Sequence, residues 1–443
     1  MSTQRTSDLR RVIGVGGVAF TAFNCVVGVG IFGLPGLVAG VLGPAALLAY
    51  LVCLILIGLV ALCLAEAGSR VPEAGGLYAY AGAAFGPVVG GVAGALLLFA
   101  NSIGSAAALA RFFIDTLTGL WPALARPWAG AGVLSLVYAV LVLVNITGAR
   151  SGSRLSVVFG LLKLTPLVLL IVAGLFVLHP ANLVWPALPP LGKVGEGSLV
   201  LVFAFIGIET GLNISGEARD PARTIPRAIA LALGMIASLY IGLQLVAQGV
   251  LGPSLAGSPA PLVDMARMIF GPWGARLLVV LTLLSASGFL AADLLSSPRI
   301  GYALAHAGQL PRFIGAVHPR FGTPAVAIVL YAALVVVLAA SGSFQQIALL
   351  SVAGTLVLYL ICCLGVLRLR AKGVAEAGTP FVAPGGAFAP LAAAAIIVWL
   401  LSTLAWRELA AVTAFVAVAA TVYVALGRGS NLWRAAASAP DQD

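Results

Sequence analysis

Apolar runs of about 20 residues recur along the whole chain, which is the length that a helix needs to cross a lipid bilayer. In lipid every backbone N–H and C=O group must be bonded within the chain, and an α-helix achieves this locally. The composition agrees with this pattern, because 61% of the 443 residues are hydrophobic and only 9% are charged. So little polar surface does not suit a water-soluble globule. We therefore predict an all-α polytopic membrane protein in contact with the lipid bilayer.

Apolar windows predict about twelve transmembrane helices. Their centres lie near residues 25, 55, 100, 137, 168, 205, 238, 287, 332, 357, 395 and 417. Most of the 24 Lys and Arg residues fall in one set of alternate loops, and the other set contains only Arg111, Arg126, Lys193, Arg267, Arg276 and Arg407. Positively charged loops stay in the cytoplasm during insertion. We therefore expect a multi-pass protein of the cell membrane with both termini in the cytoplasm.

Several other classes of protein are not indicated by the sequence. The net charge of +10 comes from basic residues scattered through the loops, which does not favour nucleic-acid binding. The cysteines, Cys25, Cys53, Cys63, Cys362 and Cys363, lie within apolar runs, where they indicate neither disulfides nor a metal site. We find no nucleotide-binding loop and no nucleophile constellation, so we expect neither an enzyme nor a cofactor.

Two of the predicted spans contain residues that interrupt helices. The first span has Gly28, Gly30 and Gly33 in its central and distal parts, and the sixth has Gly207 close to Glu209. Each glycine lowers helix stability by about 1 kcal/mol relative to alanine. Broken backbone at membrane depth persists only where it lines a cavity or is buried in protein. The alternative explanation is that these glycines serve close packing between helices.

The spacing of the two interrupted spans favours a five-plus-five inverted repeat, in which each five-helix unit begins with a discontinuous helix. The corresponding domain prediction is a cytoplasmic tail at residues 1–11, a first repeat at 12–178, a second repeat at 197–370, two extra C-terminal helices at 386–427 and a cytoplasmic tail at 428–443. The sequences of the two halves show no clear similarity, so this division is based on spacing alone.

The two breaks together predict a site for a zwitterion. The run of Val27, Gly28, Val29, Gly30 and Ile31 exposes N–H donors at a half-helix N-terminus, where an anion such as a carboxylate binds. The sixth span exposes carbonyl oxygens of Phe203, Ala204 and Ile206, which suit an ammonium group. The ring of Phe203 either caps this site or packs in the core.

Ionisable residues within the apolar runs are functional candidates because their burial in lipid is costly. Lys163 lies in the fifth span, Glu209 in the sixth and Asp293 in the eighth. Lys163 and Glu209 are candidate proton carriers, since desolvation disfavours the charged form of either group. The alternative for each is a static pair that fixes helix register. Glu66 with Arg70, and Arg111 with Asp115, are expected to form pairs at the membrane boundary, because they lie at span ends.

Uncharged polar residues in the spans provide further candidates. These are Asn24 in the first span, Asn101 and Ser105 in the third, and Ser351 and Thr355 in the tenth. Each of them either faces the transport cavity or forms a hydrogen bond between helices. Helix phase alone does not separate the two possibilities.

Several segments resemble one transporter family in order along the chain. GVGIFGLPG in the first span resembles the GSGIF-type motif of the amino acid-polyamine-organocation transporter superfamily. The second span ends in EAGSRVPEAGGLYAYAGAAFGP, which is similar to that family's E-x-G-S-R-x-P-x-A-G-G-x-Y pattern. FAFIGIET with GEARDPARTIPRAI resembles its sixth helix and the loop that follows, and SPRIGYALAHAGQLPRFIGAVHPRFGTPAVAI its eighth helix and the next loop. The resemblance extends from residue 12 to about residue 370.

This resemblance implies the inverted-repeat fold, alternating access and a substrate held at broken helices 1 and 6. Gly28, Val29 and Gly30 match the carboxylate-binding turn of the family, Phe203 its gating aromatic residue and Glu209 its sixth-helix acid. Ser or Ala is usual where this chain has Val29, so one possible hydroxyl contact to a carboxylate is missing and the turn is more crowded. The identity of the substrate, including a modified or decarboxylated amino acid, therefore stays open.

The fifth-helix residue Lys163 matches a lysine that, in proton-coupled members, stands where sodium-dependent relatives bind a cation. The first hypothesis is thus proton-coupled uptake of an amino acid, with the proton as coupling ion. The second is an exchanger or exporter of the same fold, for example of an amino acid against its amine. A channel or a non-transporting sensor would use the same helical scaffold.

Overall fold

The computed structural model describes residues 14–71, 76–147, 152–209, 221–375 and 380–429. These residues form helices joined by turns, and no β-strand occurs among them. Every predicted span centre lies in a helical segment. The predicted all-α architecture is therefore confirmed.

In the first part of the chain the helices are α1 (Val15–Val26), α2 (Leu34–Leu42), α3 (Leu47–Arg70), α4 (Leu77–Phe85), α5 (Pro87–Ala95), α6 (Ser105–Leu120), α7 (Pro127–Thr147) and α8 (Gly152–Leu175). A 3-10 turn, Val29–Phe32, lies between α1 and α2. A π-helical segment, Leu96–Gly104, joins α5 to α6. Because π-helical turns are rare and often occur at functional sites, this segment is of interest for the site.

In the second part the helices are α9 (Leu191–Val202), α10 (Pro221–Leu251), α11 (Pro261–Ser296), α12 (Pro298–His306), α13 (Ala325–Ser341), α14 (Phe344–Ala371), α15 (Phe388–Ser402) and α16 (Trp406–Gly429). A 3-10 turn, Phe203–Phe205, follows α9 directly. Within α11, Gly271 has a φ of 72° and is followed by Pro272, which marks a kink.

Among the described residues, seven helical stretches are long and apolar enough to cross a membrane. They are Leu34–Arg70, Pro87–Leu120, Trp128–Thr147, Arg227–Gly257, Pro261–His306, Phe344–Ala371 and Trp406–Ala425. Large apolar side chains such as Leu136, Leu143 and Val337 are exposed on the outside of the bundle, as a surface in contact with lipid requires. The chain is a multi-pass membrane protein, and the count of twelve spans stays a prediction.

A buried carboxylate joins α3 to the end of α14. Glu66 is fully buried and accepts hydrogen bonds from Arg70 Nε at 3.0 Å, from Arg370 Nε at 2.7 Å and from the backbone N–H of Ala383 at 2.7 Å. Arg70 also donates to the carbonyl of Val374 at 3.1 Å. The expected pair of Glu66 with Arg70 is thus present, and the structure adds a second arginine from a distant part of the chain.

The short helix α4 is held against α14 by basic side chains. Arg368 Nε donates to the carbonyl of Ala84 at 3.0 Å, and Lys372 Nζ donates to that of Ala83 at 2.9 Å. Cations at a helix C-terminus bond to otherwise unpaired carbonyls and interact favourably with the helix dipole. The end of α14 therefore fixes both α3 and α4 on the predicted cytoplasmic side.

We expect the substitution Glu66→Ala to lower the free energy of unfolding by about 3–5 kcal/mol, because it leaves buried arginine charges without their partner. Thermal unfolding of the purified protein in detergent measures the loss. The control is Asp115→Ala, which removes the partner of Arg111 from an ion pair whose side chains are 37% and 44% exposed. That pair should contribute at most about 1 kcal/mol. Equal losses for the two variants would contradict the structural role of Glu66.

Candidate functional site

The first feature of the candidate site is the interruption between α1 and α2. Val27 has φ −71° and ψ 79°, which forms an inverse γ-turn in which the N–H of Gly28 donates to the carbonyl of Val26 at 2.7 Å. Gly28 is extended, with φ −93° and ψ −161°. The chain then enters the 3-10 turn Val29–Phe32. The structure therefore contains the interruption that the glycine pattern predicts.

The backbone after this break presents hydrogen-bond donors. The first N–H groups of a 3-10 helix, here those of Val29 and Gly30, have no partner within the helix. Gly28 has a negative φ, and among the described residues a Cβ atom built on it would meet only the Val26 carbonyl oxygen, at 3.8 Å. Neither strain nor crowding thus requires glycine at this position.

The second feature is the interruption that follows α9. After the 3-10 turn Phe203–Phe205, Ile206 is extended with ψ 138°, and Gly207 has a φ of 114° that favours glycine. Helical conformation resumes at Ile208. The N–H of Gly207 donates to Oε2 of Glu209 at 3.2 Å, so the acid closes the start of the resumed helix. The residues 210–220, which include Gly211 and Asn213, lie outside the described chain.

A single hydroxyl group connects the two interruptions. The 3-10 turns of the two breaks contact each other. Tyr240 on α10 is fully buried, and its hydroxyl donates to the carbonyls of Val26 at 3.1 Å and Ala204 at 2.9 Å. Its ring packs edge-on against Phe205, with centroids 5.3 Å apart. One hydroxyl hydrogen is thus shared by two carbonyl oxygens that the breaks leave outside the regular helix ladder.

Sequence reasoning did not identify Tyr240 as a site residue. A usable signal was present, because Tyr240, Gln244 and Gln248 are polar residues spaced by four in an otherwise apolar span. Such spacing places three polar groups on one helix face. A face of this kind is expected to be turned away from lipid.

The third feature is a carboxyl group with three donors. Glu209 is 4% exposed and accepts from Asn101 Nδ2 at 3.0 Å on Oε1 and from the Tyr359 hydroxyl at 2.6 Å on Oε2, in addition to the N–H of Gly207. Asn101 comes from the π-helical segment and Tyr359 from α14. The structure therefore brings together the predicted residues Glu209 and Asn101, and adds Tyr359, which sequence reasoning missed.

Close packing between α14 and the π-helical segment places Asn101 beside Glu209. Ser351 Oγ donates to the carbonyl of Ala100 at 2.8 Å and lies 3.0 Å from Ser105 Oγ. Ser105 and Ser351 thus form a hydrogen bond between helices, which is the second of the two roles considered for them. Thr355 is fully buried, and its Oγ1 has no hydrogen-bond partner among the described residues.

Three aromatic rings cover the first break. Phe203, 5% exposed, packs edge-on against Phe344 with centroids 5.6 Å apart, and Phe344 lies 5.5 Å from Phe112. A Cβ atom built on Gly30 would lie 3.3 Å from Phe203 Cδ1, and one on Gly33 would lie 2.9 Å from Phe112 Cε2. These glycines, unlike Gly28, leave room for aromatic rings. Phe203 thus lies on the break, and its role as a gate stays a prediction.

The remaining predicted site residues fall into two groups. The side chains of Asn24, Val29 and Lys163 lie outside the described part of the structure, although the backbone of Lys163 belongs to α8, which packs against α10 and α11. Val27 and Ile31 are fully buried.

Asp293 belongs to a separate polar cluster. It accepts hydrogen bonds from Ser297 Oγ at 2.6 Å and from the Tyr331 hydroxyl at 2.8 Å. These partners come from the end of α11 and from α13, and neither of them bonds to Glu209. The structure therefore does not bring Asp293 and Glu209 into one hydrogen-bonded cluster.

Comparison of the sequence with known proteins shows similarity to membrane transporters. The sequence profile of the family described as "Amino acid permease" matches residues 13–433. The chain is 32% identical to an uncharacterized transporter of Mycobacterium tuberculosis over 364 residues, which is 80% of this chain and 79% of that protein.

Among the relatives from Bacillus subtilis are two whose names state different kinds of substrate. One is a serine/threonine exchanger, 28% identical over 83% of this chain and 85% of its own length. The other is a methylthioribose transporter, 25% identical over 97% of this chain and 96% of its own length. All three relatives are named as transporters or exchangers and not as enzymes.

We expect Gly30→Ala to impair function, because the added Cβ atom would press on Phe203 and shift the ring from the break. The control is Gly16→Ala in α1, where a Cβ atom meets nothing within 4 Å. Uptake by proteoliposomes should fall by at least about tenfold for Gly30→Ala, which corresponds to about 1.4 kcal/mol. The control variant Gly16→Ala should retain full uptake. Full uptake by Gly30→Ala would show that the fit of Phe203 against Gly30 does not matter.

Proposed function

Because this chain belongs to the amino acid permease family, we propose that it is a secondary active transporter that carries an amino acid across the cell membrane together with protons. The substrate is held at the two helix breaks and is exposed to each side of the membrane in turn. The small-molecule substrate and the proton are then its functional partners.

The observation that carries this proposal is the contact between the two breaks. Val29 and Gly30 supply N–H donors for a carboxylate, and the dipole of the helical turns that begin there favours negative charge. Carbonyl oxygens of Phe203, Ala204 and Ile206 on the facing break can accept from an ammonium group. Donors on one break and acceptors on the facing break complement the two ends of an α-amino acid. Gly28 adds no side chain beside these donors, and apart from its chain neighbours no described side chain lies within 4 Å of the position of its missing Cβ atom, which favours access of the carboxylate.

The surroundings of the breaks suit alternating access. The aromatic cluster of Phe203, Phe344 and Phe112 covers the first break from the side of α2, which the charge distribution predicts to be extracellular. Movement of these rings would open the site to the outside. Tyr240 binds one carbonyl of each break, so the two breaks can shift as a coupled pair. The Val26 carbonyl already accepts a second hydrogen bond, from the N–H of Gly28, so of these two oxygens it is that of Ala204 that keeps a lone pair for the substrate.

Glu209 is the candidate proton carrier with the clearest chemistry. Its carboxyl group faces three donors, an arrangement that complements a carboxylate. A protonated Glu209 must itself donate one hydrogen bond. Of its partners, the Tyr359 hydroxyl can turn and accept, and so can Asn101 if its amide turns to present Oδ1, whereas the Gly207 N–H only donates. Protonation therefore reorganises the link of the sixth span to α14 or to the π-helical segment, which is a means of coupling proton binding to movement. Lys163 in α8 is a second candidate carrier.

The proposal is tested in proteoliposomes with an imposed inward proton gradient. We expect accumulation of an amino acid substrate, and a loss of at least about tenfold in Glu209→Gln, since a charge-assisted hydrogen bond contributes about 1.5–3 kcal/mol. Counterflow without a gradient should persist in that variant. The control is Asp293→Asn, which alters a hydrogen-bonded carboxyl group outside the Glu209 cluster and should leave accumulation intact. Gradient-driven accumulation that survives in both Glu209→Gln and Lys163→Gln would overturn proton coupling through these residues.

An exchanger of the same fold is the second candidate, favoured by the similarity to the serine/threonine exchanger. Uptake that depends strictly on preloaded internal substrate, with no response to the proton gradient, would identify it. The methylthioribose transporter is a relative whose named substrate is not an amino acid. A substrate screen by thermal shift should thus include amino acids, amines and small sugar derivatives, because a ligand stabilises the folded state by mass action.

The proposed orientation is tested by reporter fusions. Alkaline phosphatase fused after Trp185, in the segment between α8 and α9, should be active, because this segment is predicted to be extracellular. The same enzyme fused after His318, between α12 and α13, should be inactive, and a fluorescent protein at that position should be bright. The reverse pattern would invert the assignment of both termini to the cytoplasm.

A further inference from the structure

The helix α10 carries a buried polar face along its outer half. Tyr240, Gln244 and Gln248 are spaced by four residues and are 0%, 0% and 5% exposed. Tyr240 binds the two helix breaks, as described above. Gln244 and Gln248 have no part in the proposed transport chemistry, yet buried amides in an apolar span require a reason.

Among the described residues, the side-chain amide of each glutamine has one atom with a hydrogen-bond partner and one atom without. Gln244 Oε1 accepts from the Tyr50 hydroxyl on α3 at 3.0 Å, whereas its Nε2 has no hydrogen-bond partner among the described residues. Gln248 Nε2 lies 3.3 Å from the carbonyl of Asn182 and 3.5 Å from that of Gly252, whereas its Oε1 has no partner in the same part of the chain. One turn of α10 therefore presents an unpaired donor and an unpaired acceptor on the same face.

The orientation of the Gln248 amide follows from its neighbours. Both groups beside its Nε2 are carbonyl oxygens, which only accept, so the nitrogen must point toward them. The Gln244 amide can be turned, because a tyrosine hydroxyl both donates and accepts. In either orientation Gln244 keeps one unpaired polar atom, and the spacing of four residues places the two side chains one turn apart on the same helix face. A direct hydrogen bond between the two amides is not formed.

A third unpaired polar group lies on a neighbouring helix. Ser198 on α9 is fully buried and its Oγ has no partner among the described residues. The thiol of Cys53, three residues after Tyr50 on α3, donates to the Ser198 carbonyl at 3.3 Å. The helix α3 thus contacts both the Gln244 amide and the segment that contains Ser198.

We propose that Gln244 and Gln248 bind a buried water molecule between them, in an internal hydration site behind the helix breaks. A water molecule donates two hydrogen bonds and accepts others, so it satisfies Gln248 Oε1 and either end of Gln244 at once. The resulting line of hydrogen bonds runs from the carbonyls of Asn182 and Gly252, near the predicted outer surface, through both glutamines to Tyr50. This line of hydrogen bonds holds in place the face of α10 that carries Tyr240. This inference does not depend on the proposed substrate or on proton coupling.

Radiolytic footprinting of the purified full-length protein tests the proposal, because X-rays generate hydroxyl radicals from internal water and these modify adjacent buried side chains. In Gln248→Leu the rate of modification at Tyr50 should fall several-fold relative to the wild type. The rate at Tyr331, which bonds to Asp293 outside this line of hydrogen bonds, should stay unchanged. An equal rate at Tyr50 in the wild type and in Gln248→Leu would overturn the proposal.

A double-mutant cycle gives an independent measurement. If one water molecule serves both side chains, the first substitution releases it, and the shift in Tm caused by Gln248→Leu should be at least halved in a Gln244→Leu background. The matched control is Gln309→Leu, which removes another buried unpaired Oε1 in the segment after α12. Its effect should add to that of Gln244→Leu. Additive shifts for Gln244→Leu with Gln248→Leu would contradict a shared water molecule.

Discussion

The hydrogen bonds from the Tyr240 hydroxyl to Val26 and Ala204 satisfy a requirement that lipid places on the whole fold. A membrane offers no water to bond to backbone groups, so each interruption of a helix must be repaired by the protein. Here one side chain repairs both interruptions and fixes them against each other. The second break is closed in addition by Glu209, which accepts the N–H of Gly207. A binding site at these breaks requires these hydrogen bonds, because without them the interrupted backbone would not persist in the membrane.

Two buried carboxyl groups, Glu66 and Glu209, join helices of the bundle in different ways. Glu66 with Arg70 and Arg370 holds α3, α14 and the segment at Ala383 in one buried ionic cluster. Such a cluster resists separation because breaking it leaves charges unpaired. The link of Glu209 to Asn101 and Tyr359 is different, since it contains a single acidic group whose partners are neutral side chains. The same helix, α14, takes part in both clusters and thus connects the anchored end of the bundle to the site.

Much of the fold and part of the site could be predicted from the sequence. Apolar run length predicted the helices, and glycines such as Gly28 in the first span and Gly207 in the sixth predicted the two breaks, because glycine weakens a helix locally. Glu209 could be predicted as a functional candidate because acidic residues are rare within transmembrane segments. Asn101 was one of several polar candidates. Its selection needed the π-helical segment and the packing of α14, which no local pattern shows.

The sequence by itself determined that this chain is a bundle of membrane helices with two weakened spans, because hydrophobicity and helix propensity are local properties. The tertiary structure decided which polar groups meet. Tyr240 reaches partners 214 and 36 residues away, and Asn101 reaches Glu209 across 108 residues. Such pairings depend on the rotation and depth of whole helices, which are set by the sum of many packing contacts. For that reason the carboxyl group was predictable as a candidate, whereas its three donors were not.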